Sequence, residues 1–167
     1  MPRALAHTTI IAYTTEDDRM RPVRARGEAI ARERKASLIL YDLDAADPLE
    51  GSPLPTGWSA EGTAERMPDR LGPADLERAG RHAIAVQVDE ARGRGVDAWG
   101  WLPQRPAGDD LRRYADRLHA AIVLVPARDD PPGLLQRLTG RTTAAVRRKV
   151  GPDVEVEEVP VQATRRE

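Results

Sequence analysis

Cysteine and phenylalanine are absent from the 167 residues, and lysine occurs only at Lys35 and Lys149. Without cysteine there is no disulfide framework, thiolate metal site or cysteine nucleophile. His7, His82 and His119 are scattered without the spacing of metal ligands and read as surface or structural residues. Serine is scarce too: Ser37 begins an apolar run, Ser52 and Ser59 lie among prolines and glycines, and none has a histidine placed beside it to act as a base. No Gly-x-x-x-x-Gly-Lys-Ser/Thr, Gly-x-Gly-x-x-Gly or Gly-x-Ser-x-Gly occurs, so P-loop hydrolysis, dinucleotide binding and a hydrolase elbow lack their usual signals. No run of 18 apolar residues exists, and Met1 to Tyr13 holds no long apolar segment. Neither membrane spanning nor secretion is therefore expected, and the expected compartment is the cytoplasm. The formal net charge of -1, with no long basic run, argues against a nucleic-acid partner.

What is present alternates between short β-branched runs and amphipathic stretches. Thr8 to Thr14 reads as a strand, followed by polar Thr15-Glu16-Asp17-Asp18 and a helix from about Arg19 to Lys35, with Met20, Val23, Gly27, Ile30 and Ala31 on one face and Pro22 in its first turn. Glu16-Asp17-Asp18 is similar to the acidic cluster with which receiver domains hold Mg²⁺. The third strand, however, ends in no aspartate and the fifth is followed by no lysine, so Asp17 or Asp18 is expected to cap the helix instead. Ser37 to Leu43 is a second strand, and Asp44 to Gly72, broken repeatedly by proline and glycine, a long surface loop that Trp58 anchors to the body. Gly72-Pro73-Ala74-Asp75 opens a helix that places Leu76, Ala79, Ala83 and Val86 toward the sheet and ends at Arg92-Gly93-Arg94-Gly95. Val96 to Leu102 is a third strand in which Trp99 and Trp101 share a face, expected to pack against a helix rather than to stack on a base. A helix with Leu111, Tyr114, Ala115 and Leu118 follows Gly108-Asp109-Asp110. The alternation amounts to five strands and four helices, an α/β fold with a parallel sheet and helices on both faces, in one domain over residues 1–167.

The chain turns on the stretch from Ala120 to Val150. Ile122 to Val125 is a continuous apolar run suited to a strand buried on both faces, Pro131 and Pro132 suit the first turn of a helix, and Leu134, Leu138, Ala145 and Val146 recur at helical spacing. A strand ending in a loop, then Gly133-Leu134, Arg137 and Gly140, and later Val150-Gly151-Pro152-Asp153-Val154, resembles the C-terminal half of the universal stress protein family. Its nucleotide-binding members carry a glycine, two residues, a second glycine, nine residues, then glycine followed by serine or threonine. Aligned on Gly140, the first two glycines fall on Ala127 and Asp130 and the hydroxyl on Arg141, so one of the four positions is kept.

The resemblance implies strand order 3-2-1-4-5, with a ligand crevice beyond the carboxyl ends of strands one and four. The candidate rim comprises Thr14 and Thr15 after strand one, Tyr41 and Asp42 ending strand two, Ala127 and Arg128 after strand four, and Gly140, Arg141, Thr142 and Thr143. The implied function is that of a cytoplasmic regulatory domain, not an enzyme, that does not hold ATP in the family's usual way. Asp129 and Asp130 place negative charge where phosphates would lie, whereas Arg128 and Arg141 could bind phosphate through guanidinium forks. Two alternatives stay open: an ATP-binding, slowly hydrolysing protein with an atypical loop, holding ATP or AMP, and a structural dimerisation module. Asp153 to Val161, alternating valine and glutamate, is an edge strand expected to pair with a second copy as a homodimer.

Overall fold

The structure, a computed structural model, describes residues 8–43, 70–102, 109–127 and 150–161. Five strands, β1 (Thr9–Thr14), β2 (Ser37–Asp42), β3 (Asp97–Trp101), β4 (Ala120–Pro126) and β5 (Glu155–Val159), form one sheet in the order β3-β2-β1-β4-β5. Every neighbouring pair is parallel. The α/β class, the parallel sheet and the strand order are thus as expected. The expected helix over Gly133 to Val150, the loop with Trp58 and its anchoring, and rim residues Arg128, Gly140, Arg141, Thr142 and Thr143 lie largely or wholly outside the described residues.

The register sorts the side chains onto two faces. Ile10, Ala12 and Thr14 align with Leu38, Leu40 and Asp42, and Leu38 and Leu40 align in turn with Ala98 and Gly100. On this face lies α1 (Arg21–Arg34). Gly27 lets it approach closely: a Cβ there would meet Leu38 Cδ1 at 2.9 Å, Ala12 Cβ at 3.2 Å and Leu124 Cδ1 at 3.3 Å. The single residue therefore seats α1 across β2, β1 and β4. The same face carries α2 (Pro73–Arg78) and α3 (His82–Gly93), while α4 (Asp109–Leu118) covers the opposite one through Tyr114. Both faces of β1 and β2 are consequently buried along their whole length.

Three expectations are corrected. The stretch after Gly72 is two helices rather than one, because Gly80 takes φ 72°, a left-handed conformation that ends α2. The break rotates α3 relative to a continuous helix, so that Ile84, Ala85, Val88 and Ala91 face the sheet, Ala83 is half-buried, and Val86 is 53% exposed. Neither Asp17 nor Asp18 caps α1, whose N-cap is Met20 with no side-chain hydrogen bond. The Asp18 carboxylate is instead taken by the buried Arg24, at 3.1 Å to both oxygens. Finally, the stretch read as a loop up to Gly72 is structured at its end, where buried Leu71 bridges Gly100 in antiparallel fashion.

Two ion pairs cross between α1 and α3 with opposite polarity. Arg24 reaches Glu90 at 3.2 Å, and one turn further along both helices Glu28 accepts two hydrogen bonds from Arg94 at 2.8 and 2.7 Å. Arg24 and Glu28 are both buried, so each charge taken from water keeps a partner. The pairs align α1 and α3 side by side in the same direction and set the rotation of α3. Gly27→Ala tests the close approach of α1. Overpacking costs about 1–3 kcal/mol and exceeds the gain of up to about 1 kcal/mol from replacing a helical glycine, so chemical denaturation should show a net loss of stability.

Candidate functional site

The carboxyl ends of β1 and β2 bring together Thr14, Thr15, Tyr41 and Asp42, all buried. Thr14 and Asp42 close the row facing α1 and α3, where hydrophobic partners give way to polar ones. Thr14 Oγ1 donates to Gln87 Oε1, and Gln87 Nε2 donates to the Thr15 carbonyl at 2.9 Å. One glutamine from the buried face of α3 thus meets both threonines. Thr15 Oγ1 then donates to Asp17 Oδ1 at 2.9 Å. Partial burial acts against the Asp17 carboxylate, but hydrogen bonds from Arg19 and Thr15 outweigh it and hold its pKa below the ordinary aspartate value.

Asp42 has no exposed side-chain surface, and its charge is met by Arg81, whose Nε lies 2.8 Å from Oδ2. Arg81 also extends Nη1 to Glu16 Oε2 at 3.2 Å, joining the end of β2 to the loop after β1. It occupies the junction between α2 and α3 directly after Gly80, and the left-handed turn there delivers its side chain to the rim. On the opposite face Tyr41 belongs to an aromatic row. Its ring lies 5.3 Å from Tyr13 and 5.2 Å from Trp101, and Trp101 stacks on Tyr114 at 4.0 Å. All three tyrosines of the chain are in this row, filling the space between sheet and α4 that phenylalanine fills elsewhere. Trp101 is the packing residue expected from the sequence; Trp99 is half-buried beside it.

Ala127, at the position of the first motif glycine, is half-buried, and its N–H donates to the Val159 carbonyl at 2.8 Å. That donor extends the β4–β5 ladder. The described rim residues are therefore brought to one end of the sheet, with their side-chain or backbone groups engaged within the protein. Sequence reasoning missed Gln87 and Arg81. A lone glutamine among Ile84, Val88 and Ala91 was a usable signal for a buried polar contact, but the position of Arg81 depends on the break at Gly80. Among the described residues, no group of three histidine, aspartate or glutamate side chains could hold a metal, and no helix is long and apolar enough to cross a membrane.

No protein-family model matches the sequence, and no curated protein matches it. Solved structures do match. The universal stress protein from Archaeoglobus fulgidus superimposes with TM-score 0.55 at 16% identity, covering 95% of this chain and 96% of that one. The fold is that of the universal stress proteins. A second match, the universal stress protein from Archaeoglobus fulgidus in complex with dAMP, has TM-score 0.50 at 13% identity over 93% of this chain and 98% of that one. Both alignments run over nearly the whole length of the chain.

The Arg81–Asp42 pair is open to direct test. Arg81→Ala leaves a buried carboxylate without its guanidinium, a loss on the order of 3 kcal/mol. Asp42→Asn, which leaves the partly exposed Arg81 with Glu16, should cost clearly less. Urea unfolding of the two variants at neutral pH measures the difference; equal losses would mean that Arg81 is not the partner that matters to Asp42.

Proposed function

We propose that this protein is a cytoplasmic, universal-stress-protein-like regulatory domain that is not an enzyme and does not hold ATP in the manner of the family's nucleotide-binding members. The observation that carries the reading is the engagement of Thr14, Thr15 and Asp42 by Gln87 and Arg81. A ligand placed at these groups has to displace contacts that the folded chain already makes, and displacing Arg81 uncovers a buried charge. The sequence supports the same reading, since Ala127 and Asp130 replace two glycines whose backbone would approach a phosphate. Isothermal titration calorimetry with Mg-ATP should show binding no tighter than about 1 mM, about 4 kcal/mol. Micromolar affinity that Arg141→Ala abolishes would overturn the reading in favour of an ATP-binding protein with an atypical loop. That second reading draws its support from the dAMP complex of the fold neighbour. Mass spectrometry of the purified protein, which reveals any nucleotide carried through purification, separates the two independently.

The domain acts as a homodimer in this proposal, paired through β5. The strand lies at the sheet edge, with Val156 buried and Glu155 and Glu158 exposed. Glu157 is drawn to Arg26 of α1 at 2.6 Å, which removes one of the acidic side chains that would repel a second copy. Light scattering of the wild-type protein should give the dimer mass, and hydrogen exchange in β5 should slow from dilute to concentrated protein; a monomer mass throughout would sink the pairing, and slowing confined to other elements would place the interface elsewhere.

A further inference from the structure

The edge formed by β3 is occupied by the chain itself. Gly100 exchanges both of its backbone hydrogen bonds with Leu71: the Leu71 N–H reaches the Gly100 carbonyl at 2.9 Å, and the Gly100 N–H reaches the Leu71 carbonyl at 2.8 Å. Two residues earlier on the strand, Arg92 Nε donates to the Ala98 carbonyl at 2.8 Å. In a strand, alternate residues direct their backbone groups to the same side, so Ala98 and Gly100 mark the side turned away from β2. The chain's own groups thus meet the outward carbonyls of both residues and the outward N–H of Gly100.

Arg92 is held in place as well as hydrogen-bonded. Its guanidinium carbon lies 4.5 Å from the centre of the Trp99 ring. The indole in turn donates to Asp97 Oδ1 at 2.8 Å, and Asp97 Oδ2 accepts from Ser37 Oγ on β2. Beneath the bridge, Leu76 fills the space over Gly100 so closely that a Cβ there would meet its Cδ1 at 2.8 Å. The cover is therefore packed onto the sheet from α2 and α3 together.

An uncovered edge strand is a template on which another strand can add. We propose that Leu71 and Arg92 form an edge guard that closes β3 to strand addition by a second copy of this chain. Leu71 takes up the backbone groups of Gly100, while Arg92 places a positive charge at the next outward carbonyl. In a twofold pairing of two β3 edges that charge would approach its own counterpart. The guard confines growth of the sheet to the β5 side, and it operates whether or not β5 itself pairs.

The test compares wild-type protein with Arg92→Ala, Arg92→Gln and Arg92→Lys by analytical ultracentrifugation from micromolar to millimolar concentration. Arg92→Ala and Arg92→Gln should rise above the wild-type mass with concentration, by about twofold for the first added copy. Arg92→Lys, which keeps a charge and a donor, should stay at the wild-type mass. Arg92→Gln keeps two of the three side-chain methylenes and removes only the charged end, and it carries the test if truncation to alanine loosens α3. Hydrogen exchange locates the contact: the Ala98 N–H should slow in the assembled variants. Wild-type mass in both folded variants, assembly by Arg92→Lys to the same extent, or slowed exchange confined to residues away from β3 would each overturn the proposal. A monomeric wild type that still assembles on Arg92→Ala would refute the β5 dimer alone.

Discussion

Burial of β1 on both faces is the constraint on which the rest of the structure depends. The strand lies third in a parallel sheet, with β2 and β4 on either side and α1 packed on one face, and all six of its residues are buried. Its middle must accordingly be apolar, and Ile10, Ile11 and Ala12 are. Ala12 is small enough to let α1 descend onto the sheet at Gly27, whose own missing Cβ leaves room for Leu38, Ala12 and Leu124. Polar groups are excluded from the middle and gather at the strand ends, where loops and helix termini can reach them.

At the carboxyl end, the groups that reach in come from α3 and the turn before it. The rotation of α3 is set by the crossed pairs Arg24–Glu90 and Glu28–Arg94, which hold it beside α1, and that rotation turns Gln87 inward and Val86 outward. Gln87 and Arg81 lie six residues apart, yet they serve the ends of two neighbouring strands because the turn at Gly80 precedes one and the helix face presents the other. The half-buried ion pairs between the helices and the buried contacts of the rim are in this way one arrangement. A change in the helix pairing would be felt at Thr14.

The two faces of the sheet solve their packing differently. The face under α1, α2 and α3 uses aliphatic side chains and two close glycine contacts, so its helices lie near the strands. The face under α4 uses large rings, with Tyr13, Tyr41 and Trp101 on neighbouring strands of the sheet and Tyr114 stacked above. Offset and tilted rings at these separations contribute beyond the area they bury. In a chain without phenylalanine, tyrosine and tryptophan take the role of core aromatics.

The sequence by itself determined the class of fold, the number of strands and most of their boundaries. Continuous β-branched runs separated by amphipathic stretches admit few arrangements other than a parallel sheet with crossovers, and Ile122 to Val125 or Ser37 to Leu43 are legible without neighbours. The order of the strands needed the resemblance as well, since periodicity does not say which strands adjoin. Thr14, Thr15, Tyr41 and Asp42 were also legible as rim residues, because residues at strand ends are placed by the strand boundaries. What only the tertiary structure decided is what those residues touch. Whether Asp17 caps a helix or Asp18 holds Arg24, which side of α3 faces the sheet, and whether Thr14 and Asp42 stay open depend on contacts between residues far apart in the chain. A left-handed turn at Gly80 rotates α3 by an amount that local propensity does not specify, and the cost of burying a charge such as Asp42 is offset by Arg81, which arrives from a distant part of the chain.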